Sequence, residues 1–131
     1  MKTNKDLIAS IYDAFAHGNV PFILDSVSDA FTWHDPCDSS KAIQGGIYHG
    51  KEGFGQFFQK LVSSTETTMW EVQSYVSEGN MVVATGKHGI KAKSTGKSWV
   101  NDWVMIWEIE NGKVIRGKSY FDTARYEALF Q

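Results

Sequence analysis

The stretch from Trp99 to Asp122 constrains the fold of this chain more than any other. Its first limb, Trp99 to Glu110, is rich in aromatic and β-branched residues, the composition of a strand on a pleated, half-buried surface. Asn111-Gly112 supplies the two positive-φ residues that a two-residue type I′ hairpin turn requires. The second limb runs to Phe121 and ends in a carboxylate, Asp122, with a short helical tail behind it. Trp99, Trp103 and Trp107 carry more apolar area than a hairpin hides alone. Something must cover this sheet, and the candidates lie at the other end of the chain.

Thr3-x-x-Asp6 reads as a capping box, and Leu7, Ile8, Ile11, Tyr12 and Phe15 follow at helical spacing, with Gly18 as a stop. Asn19 caps a second, shorter helix with Pro21 in its first turn and Phe22, Ile23 and Val27 on one side. Ala30 to Asp35 alternates as a short strand that Pro36 must end. Residues 36–50 read as an irregular loop of the length that forms lids or binding loops. Phe54, Phe57, Phe58 and Leu61 mark a third helix. Beyond Thr67 the pattern predicts strands only, over 67–77, 81–93, 98–110 and 113–122.

Helices first and a meander after them predict an α+β fold, a single domain over residues 1–131. Three N-terminal helices would cover one face of a curved antiparallel sheet. Such a sheet is a cone, and its mouth is a natural small-molecule pocket. Net charge is −2 and the one basic cluster, Lys87, Lys91, Lys93 and Lys97, reads as a strand's solvent face, so no nucleic-acid partner is expected. The single Cys37 suits a reducing compartment, and neither a membrane span nor a signal-peptide core is visible, so the cytoplasm is expected. No Cys/His set has metal-ligand spacing, and phosphate-cradling glycine loops and serine elbows are missing, so neither metal nor cofactor is expected.

Three titratable residues stand out. On the strand from Met81 to Lys93 the even positions are apolar except His88, so His88 points inward, either as a partnered core histidine or as a ligand contact. Gly86 beside it removes a side chain and leaves room. In Phe31-Thr32-Trp33-His34-Asp35-Pro36, alternation puts Asp35 on the face of Phe31 and Trp33, at the rim of the apolar space. A carboxylate there is partly desolvated and suited to general-base work, although an Asp before Pro also simply opens turns. Asp122 falls by alternation on the polar face of Arg116, Lys118 and Tyr120; it could instead cap the terminal helix, or be turned into the cone by a bulge. Tyr12, Trp33, Tyr48, Phe54, Asn101 and Trp103 are candidates for donors and aromatic walls around a substrate.

Four segments, Ile11 to Asn19, Phe31 to Pro36, Gly46 to Phe54, and Gly112 through Thr123, resemble the SnoaL-like, ketosteroid isomerase-like branch of the nuclear transport factor 2-like superfamily. The resemblance implies the cone-shaped, cystatin-like roll shared with ketosteroid isomerases, polyketide cyclases and limonene epoxide hydrolase. It sets Asp35-Pro36 where ketosteroid isomerases place their proton-shuttling carboxylate, and Asp122 where polyketide cyclases end the last strand in a carboxylate. The isomerases' oxyanion-hole Tyr would fall near Ile11, beside Tyr12, and their protonated Asp near Val104. The epoxide hydrolase's Arg-x-Asp would fall near Gly86-Lys87-His88, which lacks it, so epoxide hydrolysis is not expected. The resemblance implies proton abstraction next to a carbonyl of a hydrophobic cyclic substrate, with Asp35 or Asp122 as base and His88 as proton donor or relay. A non-catalytic ligand-binding or dimerisation domain on the same cone is the alternative. In either case the family's habit implies a homodimer through the open face of the sheet.

Overall fold

The computed structural model describes residues 2–131. Helix α1 (Asn4–Ala16) opens with the expected capping box, Thr3 and Asp6 each bonding the other's backbone N–H. Helix α2 (Val20–Ser26) is capped by Asn19 and carries Pro21 in its first turn. Strands β1 (Val27–Asp35) and β2 (Gly46–His49) follow, then α3 (Gly50–Ser64). Strands β3 (Thr65–Glu78), β4 (Met81–Ala92), β5 (Ser98–Glu110) and β6 (Lys113–Tyr120) form the meander, and α4 (Thr123–Ala128) ends the fold. The β5–β6 turn is the expected one, with positive φ at both Asn111 and Gly112.

Three expectations need correction. Residues 36–50 are not irregular throughout, because Gly46–His49 pairs antiparallel with β1, Trp33 opposite Tyr48. The flanking glycines Gly45, Gly46 and Gly50 hid a strand of only four residues. Second, one seam of the sheet is parallel. The strand order is β2-β1-β6-β5-β4-β3, and β1 runs parallel to β6 while the other neighbours are antiparallel. The long excursion through α3 and the meander returns the chain beside β1 in the same direction. β1 also begins at Val27, so that residue serves the sheet and not α2.

Glycine and tryptophan face each other across the strands, and this pairing shapes the interior. Gly86 lies opposite Trp103, and Gly117 lies between Trp107 on one side and Trp33 on the other. A β-carbon on Gly86 would stand 2.4 Å from Trp103 Cζ2, and one on Gly117 would stand 2.8 Å from both indoles. The room left at Gly86 is thus filled by the Trp103 ring. The indoles lie down over the glycines, so a curved sheet carries large rings without losing its hollow.

The inward faces of α1 and α3 bury Ile8, Ile11, Phe54 and Phe58 against that sheet. A smaller core closes the end of the cone, where Tyr126 of α4 and Leu129 just after it meet Cys37, Ala42, Ile90 and Ala92. Phe121 touches both cores. No helix among the described residues is long and apolar enough to cross a membrane.

Candidate functional site

Between the two cores lies a cavity walled almost entirely by aromatic and aliphatic side chains. Trp70 and Trp103 stack within it, centroids 4.9 Å apart and planes 9° from parallel. Its open space is about 80 Å³, against roughly 10–15 Å³ for a single water by the same kind of measure. Several waters fit, or a slender flat molecule. Among the expected residues the cavity brings together Asp35, His88, Tyr12, Trp33, Phe54, Asn101 and Trp103.

Asp35 is the acid of this space. Strand alternation buries it with Phe31 and Trp33, and its side chain is 5% exposed. Loss of water pushes its carboxyl up from the ordinary 3.8 to about 6, against the pull of the Cys37 N–H, which donates to Oδ1 at 3.0 Å. No cation pairs with it in any ion pair of the described residues. Near neutral pH it is therefore an ionised, poorly solvated carboxylate, the state a general base requires.

His88 and Asn101 face each other across β4 and β5. Burial pulls the His88 imidazole down from 6.5 to about 4, so it is neutral near pH 7. Its Nε2 shares a hydrogen bond with Thr67 Oγ1 at 2.9 Å, and Trp70 and Phe15 meet its ring edge to face. A proton-donating role for His88 would have to use a neutral N–H. Tyr12 is engaged within the protein: its hydroxyl accepts from the Trp107 indole N–H at 2.8 Å and donates to Met105 Sδ at 3.3 Å.

Two expected residues are not in the cavity. Tyr48 is buried against Phe57, and its hydroxyl donates to the Gln44 carbonyl at 2.8 Å, so it braces the loop before β2. Asp122 is exposed and caps α4, its Oδ1 accepting from Arg125 N–H at 3.1 Å. β6 stops at Tyr120 without a bulge turning Asp122 inward. Asn caps helices as well as Asp does. We therefore expect Asp122→Asn to melt within about 0.5 kcal/mol of the parent at its midpoint and to keep whatever activity the parent shows. Loss of activity in that variant would restore Asp122 as a base.

Ser119 and Tyr126 also line the cavity, although the sequence patterns did not single them out. Ser119 shares the face of Gly117, and Tyr126 sits one helical turn beyond the Asp122 cap, facing inward. Spacing from the cap was the signal that could have found it. No group of three or more His, Cys, Asp or Glu side chains among the described residues is arranged to hold a metal.

A curved sheet wrapped on helices around a buried carboxylate and an aromatic cavity is the nuclear transport factor 2-like fold. The profile of the SnoaL-like domain matches residues 8–117, and the chain belongs to that family. No curated protein matches it in sequence. Among solved structures, a nuclear transport factor 2-like protein of unknown function from Burkholderia pseudomallei superposes with a TM-score of 0.91 at 24% identity, over 100% of this chain and 99% of that one. TerC, crystallised with polyporic acid, gives 0.83 at 22% identity over 97% of both chains. A candidate SnoaL-like polyketide cyclase from Mesorhizobium loti gives 0.74 at 19% identity, over 91% of this chain and 99% of that one. At such identities these likenesses establish the fold.

Proposed function

We propose that this protein is an isomerase or cyclase of the SnoaL-like kind, in which Asp35 removes a proton next to a carbonyl of a hydrophobic cyclic substrate. The observation that carries the reading is Asp35 itself: a buried carboxylate in no ion pair among the described residues, opening onto an apolar cavity. In the reaction the carboxylate takes the α-proton, and the C–H electron pair moves into a C=C bond. The carbonyl oxygen becomes an enolate. The Asp35 carboxyl then returns its proton to carbon, leaving the enzyme unchanged. The stacked indoles of Trp70 and Trp103 form a flat wall for a ring, and His88 and Asn101 supply polar contacts beyond them. The polyporic acid in the TerC crystal and the polyketide-cyclase assignment of another neighbour favour a cyclic substrate.

Solvent-deuterium incorporation into a panel of cyclic ketones and enones, followed by NMR, tests this. Exchange at an α-carbon should rise with pH through about 6, as Asp35 ionises. Asp35→Asn should slow it about 10²–10⁴-fold, the usual contribution of a positioned base. Ligands that bind without exchange in the parent would leave a binding module instead of an enzyme.

We also propose a homodimer through the outer face of the sheet. Val76 pairs with Val83, which pairs with Ile106, and Val104 pairs with Tyr120, so an apolar strip crosses the exposed face. The Lys87–Asp102 and Glu108–Arg116 ion pairs flank it. An apolar strip with a charged rim is the anatomy of an interface. Val104→Lys is expected to keep the far-ultraviolet dichroism and to sediment as a monomer where the parent sediments as a dimer. A parent that is already monomeric would end this proposal.

A further inference from the structure

We infer that the hydroxyl of Tyr126 is the hydrogen-bond donor that holds the ligand's carbonyl or enolate oxygen beside Asp35. This inference rests on reading the cavity as a ligand site with Asp35 as its base, and it supplies what that reading lacks, a group to receive the developing negative charge.

The argument starts from unpaired polar atoms. Buried hydroxyls and N–H groups without partners are few in native proteins, and each needs a reason. Among the described residues most of those found here belong to the cavity wall: the indole nitrogens of Trp33, Trp70 and Trp103, the Asn101 Oδ1 and the Tyr126 hydroxyl. The two buried tyrosines of the cavity contrast sharply. Tyr12 spends its hydroxyl on Trp107 and Met105, whereas Tyr126, 3% exposed, has no protein partner among the described residues. A hydroxyl left without water or protein partner costs stability, and a ligand oxygen would recover that loss.

Position singles Tyr126 out from the indoles. Its helix is fixed at both ends, by the Asp122 cap and by Thr95, whose hydroxyl donates to the Leu129 carbonyl. Midway, Glu127 accepts from the Asp38 N–H at 2.8 Å, tying α4 to the loop that follows Asp35. The Tyr126 ring rests against Phe121 at 5.1 Å. The hydroxyl is thus held in place before any ligand arrives, which is what stabilisation of an oxyanion demands. Tyr126 shares the cavity wall with Asp35, and its ring packs in one cluster with Cys37, whose N–H donates to the Asp35 carboxylate. The charge on Asp35 adds to burial in holding the phenol protonated. A protonated phenol beside an ionised carboxylate is a donor set next to a base. An oxygen on the ligand can take the hydrogen of Tyr126 while the adjacent C–H faces Asp35.

The test compares p-cresol with p-xylene, which differ by one hydroxyl in place of a methyl, by NMR titration of the full chain. Tyr126→Phe is expected to weaken p-cresol about tenfold while p-xylene stays within about twofold, the signature of a single lost hydrogen bond. The variant should melt no lower than the parent, because the hydroxyl it removes has no partner within the protein. A second measurement needs no truncation: 3-fluorotyrosine at position 126 should shift its 19F resonance with p-cresol and not with p-xylene. If the exchange reaction is found, Tyr126→Phe should also slow it about 10²–10³-fold, the usual loss of one oxyanion donor. Equal weakening of both ligands, or a 19F signal indifferent to p-cresol, would overturn the role of Tyr126 and leave Asp35 as base untouched. Failure of both ligands to bind the parent would overturn Tyr126 and the pocket reading together. Loss of exchange in Asp35→Asn with p-cresol discrimination intact there separates base from donor and supports both assignments.

Discussion

Replacing Asp35 by Asn is expected to make this protein more stable at pH 8, by up to about 3 kcal/mol, if burial holds the carboxyl near 6 against 3.8 in the unfolded chain. The amide keeps an oxygen to accept the Cys37 N–H and brings no charge into the cavity. For a chain of this size that gain corresponds to up to about 11 °C in Tm. The sign depends on pH. A carboxyl whose folded pKa is raised favours the fold fully below about 3.8 and loses that contribution as pH rises through about 6. The advantage of Asn should therefore shrink between pH 6 and 4 and vanish below. His88 works the other way: with its folded pKa lowered to about 4, stability falls as pH drops from 6.5 through 4. In the parent these two slopes oppose each other between pH 4 and 6 and flatten the profile. In Asp35→Asn the histidine slope stands alone. Melting curves from pH 4 to 8 check this, and a variant that melts below the parent at pH 8 would show that Asp35 is stabilised by its surroundings. Gain of stability with loss of turnover is the mark of a group held in place for chemistry.

The second large effect is expected at Gly86. A β-carbon there would lie 2.1 Å from the Glu71 carbonyl oxygen and 2.4 Å from Trp103 Cζ2. The first neighbour is backbone of β3, so a rotamer change cannot relieve it and the strands must part. Gly86→Ala should cost about 1–3 kcal/mol through overpacking, toward the upper end because the clash is with main chain. The near-ultraviolet dichroism should change with it, since Trp103 stacks on Trp70 and leans on Gly86. An alanine variant with the parent's melting point and an unaltered aromatic spectrum would mean that β3 yields freely. The cavity wall would then be softer than its packing indicates.

These two positions also show what was legible in the residues. Alternation along β1 and β4 placed Asp35 and His88 inward, and both are buried there, because period-two patterning is rigid wherever one face is covered. Gly86 was legible as a gap but not as an occupied one, since its occupant sits on the next strand and depends on register. Asp122 left three readings open, because where a strand ends decides them. Once β6 stops at Tyr120, only the cap remains. The β2 strand was hidden by glycines on both sides. Tyr126 escaped because its significance lies in a missing partner, and the absence of a hydrogen bond is a property of packing in three dimensions. The parallel β1–β6 seam was equally out of reach, being a matter of topology alone.

That seam has a consequence for how the chain comes to exist. As the polypeptide leaves the ribosome, β1 and β2 emerge early with α1 and α2, yet the long-term neighbour of β1 is the last strand made. Until β6 arrives, β1 carries Phe31, Trp33 and Asp35 on an edge with nothing to close it. Pairings so distant in sequence slow folding, because chain entropy is lost before contacts compensate. A nascent chain halted just before Lys113 should therefore hold the β1–β2 hairpin apart from β3 to β5, with no seam joining them into a cone, and be easy prey for proteases or for other exposed edges. Release of β6 is then the step at which translation turns into a closed cavity.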